Sequence, residues 1–402
     1  MNSDLLKLLA PLAFLLAWID FSRKNKSSHL IGAALFFTSI VAFSQNFVFI
    51  YREIHQSIQM LMILFATRSL IKTKKIHKFN YIFITFLFFI CISLIFSKIN
   101  DDAYAQLLNF LVAIGVTNYL YNSISSTQKM QVLMLFVGRL AVILSILGLI
   151  EFGANISERI EGTFANSNYY AFFLGIGYCF VFQSTSDLRR NFSLLLILIA
   201  IVFSGSRAAL IFPMLQFFWY LYRSKNFRSL VSYGIFGLVI TAAIIASGLT
   251  RFSDVEASEG SDAERIIFAK IAFLMVSDHP FTGVGWGRYI SEFGSYSSTA
   301  EQIFTSAGVI DASGQDRRVT HNDYIRILAE LGWIAFLASL ISLFVGFVKT
   351  VKNKNHEFGY IFPVWLGTAI FSFTHNNLNG ALFWFIFLFP FYFLRNKQVH
   401  ET

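Results

Sequence analysis

Charge is scarce in this chain. Only 14% of its 402 residues are Asp, Glu, Lys or Arg, against roughly a quarter in a soluble domain, which excludes a globular protein with an ordinary solvated surface. Cysteine is limited to two, Cys91 and Cys179, and both lie inside apolar runs. They read as small core residues, so neither a disulfide framework nor a thiolate metal site is expected. No pair of His or carboxylate residues has ligand spacing, so metal chemistry is not expected either. Nor is there the signature of a serine or cysteine nucleophile, an internal repeat or a low-complexity linker. The formal net charge of +9 would suit nucleic acid, but the basic residues sit in connections between apolar runs and not on one patch.

What is abundant is hydrophobicity. Apolar residues make up 55% of the chain and the mean hydropathy is +0.59. The apolar runs are about 15–25 residues long, the length needed to cross a hydrocarbon core of about 30 Å. Candidate spans fall near 5–20, 29–48, 57–71, 80–97, 103–121, 131–152, 168–184, 192–204, 208–222, 229–249, 322–348, 358–374 and 380–394. The expected fold is an all-α polytopic membrane protein of 12–13 transmembrane helices, a single membrane domain over 1–402. A large loop over 250–320, carrying short helices, is inserted between spans. The N-terminal run is expected to stay as a span or interfacial segment, since Asp4 sits where a signal peptide has its basic region.

Orientation follows from the connections. Alternate loops hold Arg23, Lys24 and Lys26, then Arg68 to Lys78, Lys129, Arg189 and Arg190, Arg223 to Arg228, Lys349 to Lys354, and Arg395 and Lys397. The intervening short loops hold Arg52, Lys98, Arg159 and Arg207. The first set is therefore cytoplasmic, the C-terminus is inside, and the long loop is outside.

Four polar signatures collect on the outer face. The segment Arg159 to Asn168 can be a glycine-turn loop with Asn166 or Ser167 capping the next helix, or Arg159 can bind an anion. The turn Ser204-Gly205-Ser206-Arg207 joins two arms of about 24 Å each at about 1.5 Å per residue, too short for two full crossings. It should be sunk below the surface, where Arg207 requires an anionic partner or snorkels to a headgroup. In the loop, Asp278-His279-Pro280 to Arg288 is glycine-rich but lacks the βαβ context of a nucleotide site. It reads as a tight turn after a short helix near 262–277.

The fourth signature, Thr320-His321-Asn322-Asp323 through Arg326, Glu330 and Gly332, places titratable groups at the water–lipid boundary, where they are costly and usually functional. Thr320 and Asp323 suggest a capping box, with His321 in the first turn, where the helix dipole keeps the imidazole neutral and able to act as a base. Asp323, Arg326 and Glu330 would share one face, with Arg326–Glu330 an i,i+4 pair that locks helices together. His375-Asn376-Asn377 reads as capping and packing. Arginines and a histidine on one face suit a pocket that holds a diphosphate leaving group while a base deprotonates a hydroxyl.

The motifs Arg159-x-x-Gly162-Thr163-Phe164-x-Asn166-x-Asn168, Ser204-Gly205-Ser206-Arg207, His279-Pro280-x-x-Gly283-x-Gly285 and His321-Asn322 to Glu330-x-Gly332 together resemble the O-antigen ligase and O-antigen polymerase superfamily, over roughly residues 130–380. The resemblance implies a bacterial inner-membrane glycosyltransferase with its active site facing the periplasm. It uses neither a metal nor another cofactor. Its donor is an undecaprenyl-diphosphate-linked glycan. The acceptor is lipid A-core for a ligase, or another lipid-linked repeat for a polymerase; other polysaccharide-assembly proteins would be its partners. Carried over by position, Arg207 and Arg159 would bind the diphosphate and His321 would activate the acceptor; Arg288 is a further candidate for the diphosphate. Ser206, Asn166, Asn168, Asp323, Arg326, Glu330 and His375 would support them. An extra N-terminal run departs from the family's twelve spans. A transporter, the reading from another class, would put its polar groups near the midplane and show repeat symmetry.

Overall fold

The computed structural model describes residues 3–43, 49–73, 80–97, 100–124, 126–154, 159–164, 166–183, 188–223, 255–305, 320–352 and 361–392. Among them all regular structure is helical, as expected of a backbone that must satisfy its own hydrogen bonds in lipid. Among the described residues, three helices are long and apolar enough to cross a membrane: Asp101–Ser123, Gln128–Gly153 and Asp323–Lys352. Shorter apolar helices cover Ser28–Ala42, Tyr81–Phe96 and Ile361–Phe371. The expected span near 229–249 lies outside the described residues.

The chain divides into two compact units. The first comprises Met1–Thr73, Gly115–Val255 and Asn353–Thr368. It contains α1 (Ser3–Lys24), α2 (Ser28–Ala42), α3 (Phe49–Thr73), α6 (Thr127–Ala154), α7 (Ser167–Phe182), α8 (Leu188–Phe203) and α9 (Ile211–Arg223). Small residues let α6 and α7 approach closely, as is usual where lipid removes the hydrophobic drive between helices. A Cβ on Gly177 would stand 2.1 Å from the Ala141 Cβ, and one on Gly138 2.9 Å from Val181. The short arms foreseen around residue 205 are real: α8 ends at Phe203, and a 3-10 turn Arg207–Leu210 leads into α9.

The second unit comprises Lys74–Ile114, Glu256–Lys352 and Ala369–Thr402. It contains α4 (Asn80–Phe96) and the first part of α5 (Asp101–Ser123). In the stretch expected to be the insert lie α10 (Val255–Asp278) and α11 (Tyr289–Thr305). Then come α12 (Asp323–Lys352), the end of α13 (Ile361–Phe371), α14 (Ala381–Phe387) and α15 (Phe389–Tyr392). Trp384, buried, anchors an aromatic core with Phe83, Phe86 and Phe110 at 5.1–5.5 Å between ring centroids. A second core joins the insert to α12 through Phe268, Ile271, Met275, Tyr289, Phe293 and Ala329.

The helix α12 is not continuous. Gly332 has φ 80° and ψ −178°, a conformation open only to glycine. Trp333 and those after it form a lipid-facing arm, with Ile334, Leu337, Ile341 and Phe344 all more than half exposed.

Candidate functional site

In the first unit the first two signatures come together. Arg159 donates from Nε to the Ser204 carbonyl at 2.8 Å and from Nη2 to Asn168 Oδ1 at 3.1 Å. One guanidinium therefore straps the 159–168 loop to the 204–207 turn. Glu151 Oε2 accepts the Gly162 N–H at 2.8 Å, where Gly162 turns with φ 59°. Asn166 caps α7, its side chain accepting the Asn168 N–H at 2.7 Å; of the two capping residues foreseen, Asn166 does the work. In the turn, Ser204 Oγ accepts the Ser206 N–H at 3.2 Å. Ser206 is buried, and its own hydroxyl has no hydrogen-bond partner among the described residues. The next residue, Arg207, is exposed.

In the second unit the other two signatures meet. The break at Gly332 releases backbone groups that an intact helix would pair internally, and the 280–285 turn takes them up. Val284 N–H donates to the Ala329 carbonyl at 2.9 Å, Gly285 N–H to Glu330 at 3.2 Å, and Trp333 N–H to Pro280 at 2.9 Å. Ser93 of α4 adds its hydroxyl to the Glu330 carbonyl at 2.9 Å and accepts the Trp286 N–H at 3.0 Å. Glycine is required on both sides: a Cβ on Gly283 would lie 2.3 Å from the Glu330 backbone, and one on Gly332 2.5 Å from that of Phe281. His279 is exposed beside this clasp.

Arg326 and Glu330 form the foreseen i,i+4 pair, Nε to Oε2 at 3.1 Å, with both side chains under 10% exposed. The pair belongs to a larger network. Arg326 Nη2 donates to Gln106 Oε1, which also accepts Asn379 Nδ2 at 2.7 Å. The guanidinium lies 5.0 Å over the Trp286 ring, and Glu330 Oε1 accepts the Tyr289 N–H at 3.3 Å. Burial, and secondarily the Glu330 charge, pushes the Tyr289 phenol well up. It stays neutral and donates to the Phe268 carbonyl at 2.9 Å. Arg288, just before α11, pairs with Glu292 in the first turn of that helix, and its side chain is 18% exposed.

The helix start differs from the expected capping box. The N-cap of α12 is Asn322, whose Oδ1 accepts the N–H groups of Tyr324 at 3.0 Å and Ile325 at 3.1 Å. Thr320 Oγ1 instead bonds Asn376 Oδ1 at 2.9 Å. The Asp323 carboxylate is buried and accepts the N–H groups of Asn377 at 2.7 Å and Leu378 at 3.2 Å. A tertiary turn has claimed the group that a local box would have used. His321 accordingly stands outside the helix. It is the one non-glycine residue among those described with positive φ, 49°, and it is half-buried, its ring 6.2 Å from that of Phe268. A left-handed non-glycine residue carries strain of about 1–3 kcal/mol, and such residues cluster at functional sites. His375 packs, as foreseen: its ring stacks on Phe371 at 4.1 Å and Nδ1 meets Thr374 Oγ1 at 2.9 Å.

Sequence reasoning missed Ser93, Gln106, Asn322 as the cap, and Asn379. No cluster of three or more His, Cys, Asp or Glu side chains able to hold a metal occurs among the described residues.

Residues 192–340 match the family model described as O-Antigen ligase, so the superfamily resemblance read from the motifs is upheld over this stretch. The match runs from α8 through the lipid-facing arm of α12. It includes Arg207, Arg288, His321, Arg326 and Glu330, and leaves Arg159, Asn166, Asn168 and His375 outside. No curated protein matches the chain.

Proposed function

We propose that this chain is a membrane glycosyltransferase of the O-antigen ligase type. It transfers glycan from undecaprenyl diphosphate to a hydroxyl of lipid A-core at the periplasmic face of the inner membrane. The observation that carries this reading is His321, a strained, half-buried imidazole immediately before the helix α12, within the stretch that matches the ligase family. In the reaction His321 takes the proton of the acceptor hydroxyl. The acceptor oxygen bonds to the anomeric carbon of the donor sugar as the bond from that carbon to the diphosphate breaks. Undecaprenyl diphosphate leaves with the electron pair. Arg207, exposed at the start of its 3-10 turn, offers a planar fork for the diphosphate oxygens, an interaction that strengthens as charge develops on the leaving group.

The other family residues have structural parts in this reading. Arg159 holds the Arg207 turn in place, Arg326 and Glu330 hold the insert on α12, and Arg288 is balanced by Glu292. The topology rests on the alternation of basic loops. The test is transfer by the purified full-length protein, given an undecaprenyl-diphosphate glycan with either lipid A-core or a second lipid-linked repeat as acceptor. Glycosylated lipid A-core supports the ligase. Chain growth on the second repeat alone would make it a polymerase, and no transfer to either acceptor would overturn the reading.

A further inference from the structure

A charged cluster in the first unit has no part in the transfer chemistry. The helices α1 and α6 pack together, Phe21 against Phe136 with ring centroids 4.5 Å apart. Each also presents an outward stripe. On α1 the stripe is Leu12, Leu16, Asp20 and Lys24, at four-residue spacing; on α6 it is Leu135, Arg139, Ile146 and Ile150. The apolar members are 42–66% exposed, as befits a wall facing lipid. Arg139 is set among them with its side chain 66% exposed. It lies within a span of mean hydropathy 2.5, roughly 18 Å along α6 from Thr127 at about 1.5 Å per residue. Leu135 lies between Arg139 and the end of the helix, so the arginine is anchored deeper than an apolar residue of its own stripe.

A cation at that depth requires an anion. Among the described residues its one ion-pair partner is Asp20, 4.0 Å away, and Asp20 is already held by Lys24 at 2.7 Å. Arg23 is exposed beside Lys24 in the last turn of α1. Three cations thus share one carboxylate, near the end of α1 where its basic loop lies. The long stem of Arg139 can run along the stripe toward that end and deliver its guanidinium to a phosphate.

We propose that Arg139, Lys24 and Arg23 bind the headgroup phosphate of an anionic phospholipid, in the leaflet on the side of the basic loops. The acyl chains lie along the Leu12–Leu16 and Ile146–Ile150 stripes. Asp20 orients the cations and competes with the lipid for them.

The test is native mass spectrometry of the full-length protein from micelles doped with phosphatidylglycerol or phosphatidylcholine. Wild-type protein retains phosphatidylglycerol in preference to phosphatidylcholine. Arg139→Gln lowers that retention about fivefold, the factor for one basic residue at an anionic surface, and Arg139→Lys keeps most of it. Arg223→Gln, on another basic loop, leaves it unchanged. Asp20→Asn raises retention, a change of opposite sign that a purely structural ion pair would not give. This variant and Arg139→Lys decide the matter if Arg139→Gln does not fold. Unchanged retention in Arg139→Gln or a fall in Asp20→Asn overturns the proposal. So does a shift from dimer to monomer in Arg139→Gln at unchanged lipid retention, which would make this face a contact between copies.

Discussion

Asp323 holds the backbone N–H of Asn377 at 2.7 Å and so ties the first residue of α12 to the turn before α14. The carboxylate is buried and takes the Leu378 N–H as well. Replacing it with alanine leaves two buried donors unsatisfied, at about 1–3 kcal/mol each. Asp323→Ala should therefore lower the thermal midpoint of the purified protein clearly, whereas Asp323→Asn, which keeps one acceptor oxygen, should lower it less. Equal losses would show that the carboxylate's second oxygen carries the contact.

Arg207→Ala is expected to abolish glycan transfer without changing the melting curve, because the side chain is exposed and its role is with the donor. Lysine should rescue only partly, since a point charge lacks the bidentate fork. Arg159→Ala should do the reverse in part, lowering the melting temperature through loss of the bonds to Ser204 and Asn168. Both curves come from one fluorescence melt and one gel-shift assay per variant. Full transfer by Arg207→Ala would remove this arginine from the mechanism.

For His321 the backbone offers a way to separate chemistry from folding. Its φ of 49° suits glycine, so His321→Gly should be at least as stable as His321→Ala, by up to about 1 kcal/mol. Both variants should lose about 10²–10⁴-fold in transfer, the usual contribution of a positioned proton acceptor. His321→Gln should not restore the rate, and chelators should leave the wild-type rate unchanged. Near wild-type transfer by His321→Ala would send the search for the base to His279 or to the substrate's own phosphate.

Removing either Arg326 or Glu330 should cut the yield of folded protein more than the turnover per molecule, because an uncompensated buried charge costs about 3–5 kcal/mol. An apolar double variant should recover yield only in part. The Tyr289 N–H and Gln106 Oε1 lose partners at the same time. Size-exclusion yield and specific activity measured on the same preparations check this. Well-folded but inactive single variants would move the pair into the chemistry.

Gly332→Ala and Gly283→Ala should each be among the most damaging single-methyl changes in the chain. Both residues have positive φ, and a Cβ at either would meet backbone at 2.3–2.5 Å, so a loss of about 3 kcal/mol or more is expected. Detergent-solubilised yield is the measurement. A normal yield from Gly332→Ala would mean that the helix can straighten there.

Much of this arrangement was legible along the chain. The i,i+4 pair of Arg326 and Glu330, the short arms around residue 205 and the alternatives at Asn166 all follow from local spacing, and local spacing is what a sequence prints. The capping box failed because Thr320 and Asp323 have better partners far away in sequence, Asn376 and the N–H groups of residues 377 and 378. Ser93, Gln106 and Asn379 were silent for a related reason. A lone neutral polar residue in or beside an apolar run gives no signal until its partner is known. Arg139 escaped notice because topology was read from the loops, whereas its interest lies in being inside a span.

The broken helix has a consequence for synthesis. The turn at 280–285 precedes α12 in the chain, yet it supplies the partners for Ala329, Glu330 and Trp333. During biogenesis the insert has already emerged when the hydrophobic arm after Gly332 enters the lipid, so its turn is waiting when those backbone groups need partners. A circularly permuted chain that made α12 before the insert would have to park an interrupted helix, with its polar backbone bare, in the bilayer. The native order of translation avoids that intermediate.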